Sequence, residues 1–165
     1  MVVLSLLIAA ACGGDADAGP ARGDYFTQLQ RVSETAHIQD RGLRRDLVRR
    51  LKEAAAEDRM TVLTVFVDQS VRLYQDVVDA LRQLDAPPEL AEEQRAYREA
   101  WQGQLVVMRA VREAGFRSSA QILKQFGLPA FKDAAATTRT RCEALEDAVR
   151  SSESDVDLVC DGRLP

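Results

Sequence analysis

The sequence predicts an all-α protein, an up-down-up-down four-helix bundle with a short extra helix and an extended C-terminal strap. Three observations lead there. Apolar residues recur at steps of three and four along four long segments, which is the spacing of one helix face. The chain is 46% hydrophobic and 29% charged, and it is rich in Ala, Leu, Arg and Glu, residues that lose little rotamer freedom in a helix. Connections are short, and before Asp155 no segment alternates polar and apolar residues long enough to make a strand. At 165 residues a single core is expected, large enough to hold together without a metal.

The first helix is expected from Asp24, read as its N-cap, to about Glu57, with Phe26, Leu29, Val32, Ala36, Leu43, Leu47, Leu51 and Ala54 on one face. Gln39, Asp40 and Gly42 interrupt that stripe and predict a kink, since a helical glycine costs about 1 kcal/mol. A second helix aligns Leu63, Phe66, Val67, Ser70, Val71, Tyr74, Val77, Val78, Leu81 and Leu84 inward, opposite Asp68, Arg72, Asp76 and Arg82. Ala86-Pro87-Pro88 must end it, because proline disfavours helical geometry in the residue before it and has no amide hydrogen to donate.

Pro88 then opens a third helix carrying Leu90, Tyr97, Ala100, Trp101, Leu105, Met108 and Val111, stopped by Gly115. Ser118 and Gln121 have capping-box spacing and open a short helix that buries Ile122, Leu123 and Phe126 before Gly127. A last helix starts at Pro129 and aligns Phe131, Ala135, Thr138, Cys142, Leu145 and Val149, and Asp155 to Cys160 reads as an extended strap.

Ahead of this domain, residues 1–11 form an apolar and small-residue run. It is shorter than the roughly 20 residues a spanning helix needs but suits the core of an export signal. Residues 12–23 contain no large apolar side chain and are dense in Gly, Asp, Ala and Pro, the composition of a flexible tether. The bundle domain is assigned to 24–165. The junction Ile8-Ala9-Ala10-Ala11-Cys12-Gly13-Gly14-Asp15 resembles the lipobox of bacterial lipoproteins. That resemblance implies that Cys12 is acylated, becomes the mature N-terminus and anchors the chain, outside the cytoplasm, to the bacterial cell envelope.

The layout as a whole is similar to that of bacterial helical-bundle lipoproteins, through the Leu84-Asp85-Ala86-Pro87-Pro88 turn and the late cysteine of Asp157-Leu158-Val159-Cys160. It implies no activity. The LTxxQ repeats of small helical periplasmic chaperones are missing.

Most chemistries fail for want of residues. With one histidine, His37, the chain cannot supply the paired ExxH motifs of a di-iron bundle. There is no CxxCH for covalent haem, and His37 with Met60 or Met108 lacks a supporting pattern. His37, Glu34 and Asp40 could meet a zinc ion by helical spacing, but a lone histidine among carboxylates reads as a solvated helix face. There is no GxSxG, no nucleophile with an identifiable base and no phosphate-binding glycine loop. The expectation is a protein that is not an enzyme and carries no cofactor. A formal net charge of -4, with no recognition motif, sets nucleic acid aside as a partner.

One cationic feature stands out. His37, Arg41, Arg44, Arg45 and Arg49 share an arc of the first helix opposite Leu43 and Leu47. They read either as a solvated face partly neutralised by Glu34, Asp40 and Asp46, or as a contact for anionic headgroups beside the anchor.

The function expected is therefore a membrane-anchored module in the cell envelope that binds a protein or small-molecule ligand, with a pocket lined by Tyr74, Trp101 and Met108. Rival readings are a stress sensor or chaperone-like protein with an exposed apolar groove, and a metal or small-molecule carrier. If acylation consumes Cys12, Cys142 and Cys160 remain as an even pair in an oxidising compartment, and a disulfide between them is expected to pin the strap.

Overall fold

The computed structural model describes residues 18–152 and 156–160, with side chains from Gly23 onward. The apolar run, Cys12 and tether residues 12–17 lie outside the described residues. Five α-helices account for nearly all of what is described: α1 (Ala18–Glu53), α2 (Arg59–Gln83), α3 (Ala91–Glu113), α4 (Ser119–Phe126) and α5 (Pro129–Ser151), with a 3₁₀ turn at Pro88–Leu90 between α2 and α3. No strand occurs among the described residues. The fold is all-helical, and its helices pack against one another.

Helix α1 differs from expectation at both ends and in the middle. It starts at Ala18, so six residues read as tether are helical. Pro20 falls within the first turn, where its missing amide hydrogen would have had no helical partner. Asp24 is thus not a cap; it lies inside the helix, next to Gly23, whose carbonyl accepts from Thr27 Oγ1. The helix ends at Glu53 and runs unbroken through Gln39, Asp40 and Gly42. Asp40 does not unravel it, because Arg44 one turn on and Tyr74 of α2 both satisfy its carboxylate. Gly42 only weakens the helix by the cost of its own backbone freedom.

Helix α2 presents the buried face the periodicity predicts, from Leu63 to Leu81. Its end is built by a residue of the next helix. The side-chain amide of Gln94, itself buried, donates to the carbonyls of Leu81 and Leu84 at 2.8 and 3.0 Å, two acceptors that the helix cannot satisfy internally. Gly115 closes α3 with φ of 59°, a conformation that glycine adopts without strain. At α4, Ser118 Oγ accepts from Gln121 N, while Gln121 Oε1 accepts from Arg117 N, so the side chain of the capping pair reaches one residue beyond the cap. Ile122 is buried, but Leu123 is 44% exposed. An eight-residue helix turns only a narrow face inward. Phe126 packs edge-on against Phe66 and tilted against Phe131, at ring centroid distances of 5.6 and 5.2 Å.

Helix α1 packs on α2, α2 on α3 and α3 on α5, while α4 bridges α2 and α5. The described residues show no extended packing of α1 directly on α5. Residues 156–160, which are not helical, lie between those two helices. Leu158, Val159 and Cys160 are buried, the Val159 carbonyl accepts from Ser33 Oγ of α1 at 3.4 Å, and the Sγ atoms of Cys160 and Cys142 of α5 are bonded, with their Cα atoms 5.4 Å apart. The Arg150 guanidinium reaches Asp157 at 3.0 Å from the same side. One end of the gap between α1 and α5 is closed in this way. The other end is a cavity.

Candidate functional site

The cavity has a volume of about 300 Å³. Helix α1 supplies His37, Asp40, Arg41 and Arg44, α3 supplies Trp101 and Gln104, α5 supplies Ala135, Thr138 and Arg139, and Cys160 closes the end. Its position follows from the register of α1. The buried residues Leu29, Ser33 and Ala36 recur at helical spacing, and the next positions on that line are Asp40 and Arg44. Where a bundle helix would continue with leucine, this one presents a carboxylate and a guanidinium, so α1 and α5 stay apart and polar groups line the gap.

These residues have distinct roles. Asp40 Oδ1 accepts from the Tyr74 hydroxyl at 2.8 Å, and its Oδ2 accepts from Arg44 Nε at 2.7 Å, so Arg44 is held in place by an ion pair. Gln104 Nε2 donates to Thr138 Oγ1 at 2.7 Å, and Thr138 in turn donates to the Ala134 carbonyl, tying α3 to α5 along the floor. Trp101, the chain's single tryptophan, is 1% exposed. Its ring lies 5.6 Å from that of His37 and 5.4 Å from that of Tyr74. His37 Nε2 stands 3.4 Å from the Tyr97 hydroxyl.

Arg41 is different: its Nε and Nη2 are buried, and neither has a hydrogen-bond partner. Arg139 stands exposed on the rim. Three guanidinium groups thus face one carboxylate in this cavity, on a chain whose formal net charge is -4.

All three tyrosines of the chain are buried, and each holds its proton more tightly than usual. Burial raises Tyr25, whose hydroxyl has no partner. Burial raises Tyr74, and the negative charge of Asp40 raises it further. Burial likewise raises Tyr97.

The structure divides the cationic stripe expected on α1. His37, Arg41 and Arg44 turn toward α3 and α5 and line the cavity, whereas Arg45 and Arg49 are exposed. Leu43 and Leu47 are only half-buried, and the arc opposite them is split between the cavity and the outer surface. Arg49 and Arg50 both pair with Asp46. The pocket expected from Tyr74, Trp101 and Met108 is corrected likewise. Trp101 lines a cavity, but Tyr74 and Met108 are buried in the core and are not among the residues that line it.

Asp40 and Glu34 do not join His37 as a zinc site, since Asp40 is engaged by Arg44 and Tyr74 and Glu34 accepts from Gln30. No group of three or more His, Cys, Asp or Glu that could hold a metal occurs among the described residues. Sequence reasoning missed Arg139 and Gln104 as site residues. A single arginine on an amphipathic helix carries no local signal, and Gln104 is marked only by its partner across the fold.

Among the described residues no helix is long and apolar enough to cross a membrane. No family model, curated protein or solved structure matches the chain.

Proposed function

We propose that the chain is an exported lipoprotein, anchored to the bacterial envelope through acylated Cys12, whose helical domain binds a small ligand in the cavity between α1, α3 and α5. In this reading the domain is an up-down-up-down four-helix bundle whose open side is held by a C-terminal strap. The observation that carries the ligand-binding part is Arg41, a guanidinium at the cavity wall with two buried donors and no acceptor. Such a group is costly to a fold by several kcal/mol, and sites that work against stability in this way mark function more often than packing. The cavity volume falls at the small end of the roughly 300–1,000 Å³ range of ligand pockets. A covalent frame at its closed end, through Cys142 and Cys160, suits an oxidising compartment. The exposed Arg45 and Lys52 remain available to anionic headgroups near the anchor.

Trp101 makes the reading testable without a label. A screen of small metabolites against purified protein should yield at least one that changes Trp101 fluorescence saturably, and Ala135→Phe, which fills the cavity, should abolish the response. A response that survives the filled cavity, or a screen with no saturable ligand, overturns the binding role. The anchor is tested separately. Mass spectrometry of protein from the host membrane should find a mature chain beginning at a diacylated Cys12, whereas an unmodified chain still starting at Met1 would refute it.

A second reading, a chaperone-like surface, rests on the apolar groove between α3, α4 and α5, where Val106 and Leu128 are 56% and 38% exposed. At about 250 Å³ the groove is small. Of the remaining exposed apolar side chains, Ile38, Val48 and Val65 lie on α1 and α2, and Leu123 of α4 does not line the groove. The ligand-binding reading is preferred.

A further inference from the structure

Resting on the ligand-binding reading, we infer that the cavity selects a small soluble organic anion, with its oxyanion head on Arg41 and Arg139 and its apolar body against Trp101 and Ala135. The inference comes from a division of labour among the three arginines. Arg44 is already neutralised by Asp40 at 2.7 Å and serves as wall. Arg41 has no carboxylate or other acceptor for Nε and Nη2, and no ion pair engages Arg139 among the described residues. Two cations, one on α1 and one on α5, therefore line the gap with Asp40 as its one carboxylate, and Asp40 is already engaged.

A guanidinium shielded from water gains most from an acceptor that brings negative charge, since a charge-assisted hydrogen bond is worth about twice a neutral one. Carboxylate and phosphate oxygens both fit its planar fork. A neutral or cationic ligand would leave Arg41 uncompensated. The floor defines the rest of the molecule. Trp101, Ala135 and the buried Cys160 present apolar surface, whereas the Gln104 amide and the Thr138 hydroxyl already bond to each other. The rest of the ligand is therefore small enough for about 300 Å³ and carries an apolar face toward Trp101 and Ala135. The exposed Arg45, Arg49 and Lys52 continue from Arg41 and Arg44 along the outer surface, so the approach to the cavity is also cationic and raises the local concentration of anions.

The test compares benzoate, inorganic phosphate and neutral benzamide in lipid-free solution, read by Trp101 fluorescence and calorimetry. Benzoate should bind saturably, phosphate more weakly for lack of an apolar body, and benzamide at least about tenfold more weakly than benzoate, the ratio that a difference of ~1.4 kcal/mol gives. Added salt should weaken benzoate far more than benzamide. Arg41→Gln should remove the preference for benzoate, and Arg139→Gln should reduce it. Arg45→Gln, which lies off the cavity, should leave affinity within about twofold at high salt, where steering is screened.

Melting temperature separates a ligand role from a structural one. Without ligand, Arg41→Gln should melt at or above the temperature of the unaltered chain, because it removes the buried Nε and Nη2 donors that lack acceptors. A drop, with the preference unchanged, would make Arg41 structural and overturn the inference. Equal binding of benzoate and benzamide, abolished by Ala135→Phe, would overturn anion selectivity while the ligand-binding reading stands. A response to phosphatidylglycerol vesicles with none to the soluble anions would also overturn it, in favour of a headgroup. Failure of every soluble compound and of the vesicles would defeat both readings.

Discussion

Raised above pH 10, the protein should show almost no tyrosinate absorbance while it stays folded, and then ionise all three tyrosines together as it unfolds. Tyr25, Tyr74 and Tyr97 are the only tyrosines in the chain, and all are buried. Burial lifts each above the ordinary value of 10.0, with Asp40 adding to the effect at Tyr74. The fold thus favours the protonated phenol. Below pH 10 folded and unfolded chains hold the same three protons and stability is full. Above it the unfolded chain releases protons that the folded chain retains, and stability falls by about 1.4 kcal/mol per pH unit for each tyrosine.

Three such groups together remove about 4 kcal/mol per unit, enough to exhaust the 5–15 kcal/mol typical of a domain within a few units. Spectrophotometric titration alongside circular dichroism checks this. A tyrosine that ionises near pH 10 with helicity intact would show that its hydroxyl reaches water. Tyr74→Phe should make the loss of stability with pH shallower by about a third, because one of three coupled protons is gone.

Replacing Cys160 by serine should lower the melting temperature by roughly 6–12 °C while leaving most of the helical signal in place. The bond between Cys142 and Cys160 spans a sequence separation of 18, and closing a loop of that size contributes about 3 kcal/mol through restriction of the unfolded chain. For a chain of this length each kcal/mol moves the midpoint by about 2–4 °C. Helicity should survive because α2 packs against both α1 and α3, and α3 against α5, through surfaces that residues 156–160 do not form. The cavity should suffer more than the helices do. Cys160 closes one end of it, and without the cross-link that end is held by non-covalent contacts, among them those of Ser33 with Val159 and Arg150 with Asp157 and the burial of Leu158 and Val159. An unchanged midpoint, or two reactive thiols in denatured, unreduced protein, would contradict the bridge.

Helix positions were legible in the sequence because they rest on local signals. The apolar period of α2, the proline pair after Ala86, the Ser118 cap and Pro129 at the start of α5 act within a turn or two of chain, and the structure places helix boundaries close to where those signals stand. The beginning of α1 was not legible. Its glycines and Pro20 read as a tether, yet α1 already includes them, because a proline in the first turn forfeits no helical hydrogen bond. Nor was the continuity of α1 through Asp40 and Gly42 apparent, since what occupies Asp40 is a tyrosine 34 residues away.

By itself the sequence determined that the chain is helical, which faces of α2 and α3 are apolar, and that Cys142 and Cys160 are the two cysteines beyond the N-terminal one. Those properties depend on neighbours along the chain. The tertiary structure decided what the arginines of α1 do. Helical spacing put His37, Arg41, Arg44, Arg45 and Arg49 on one arc, but it could not say that α3 and α5 would stand over half of that arc. Arg44 became the partner of Asp40, Arg45 and Arg49 stayed exposed, and the half-buried Arg41 was left with Nε and Nη2 buried and without an acceptor. The physical reason is that a charged side chain is defined by what it loses in desolvation and gains in partners, and in this fold both come from helices far away in sequence.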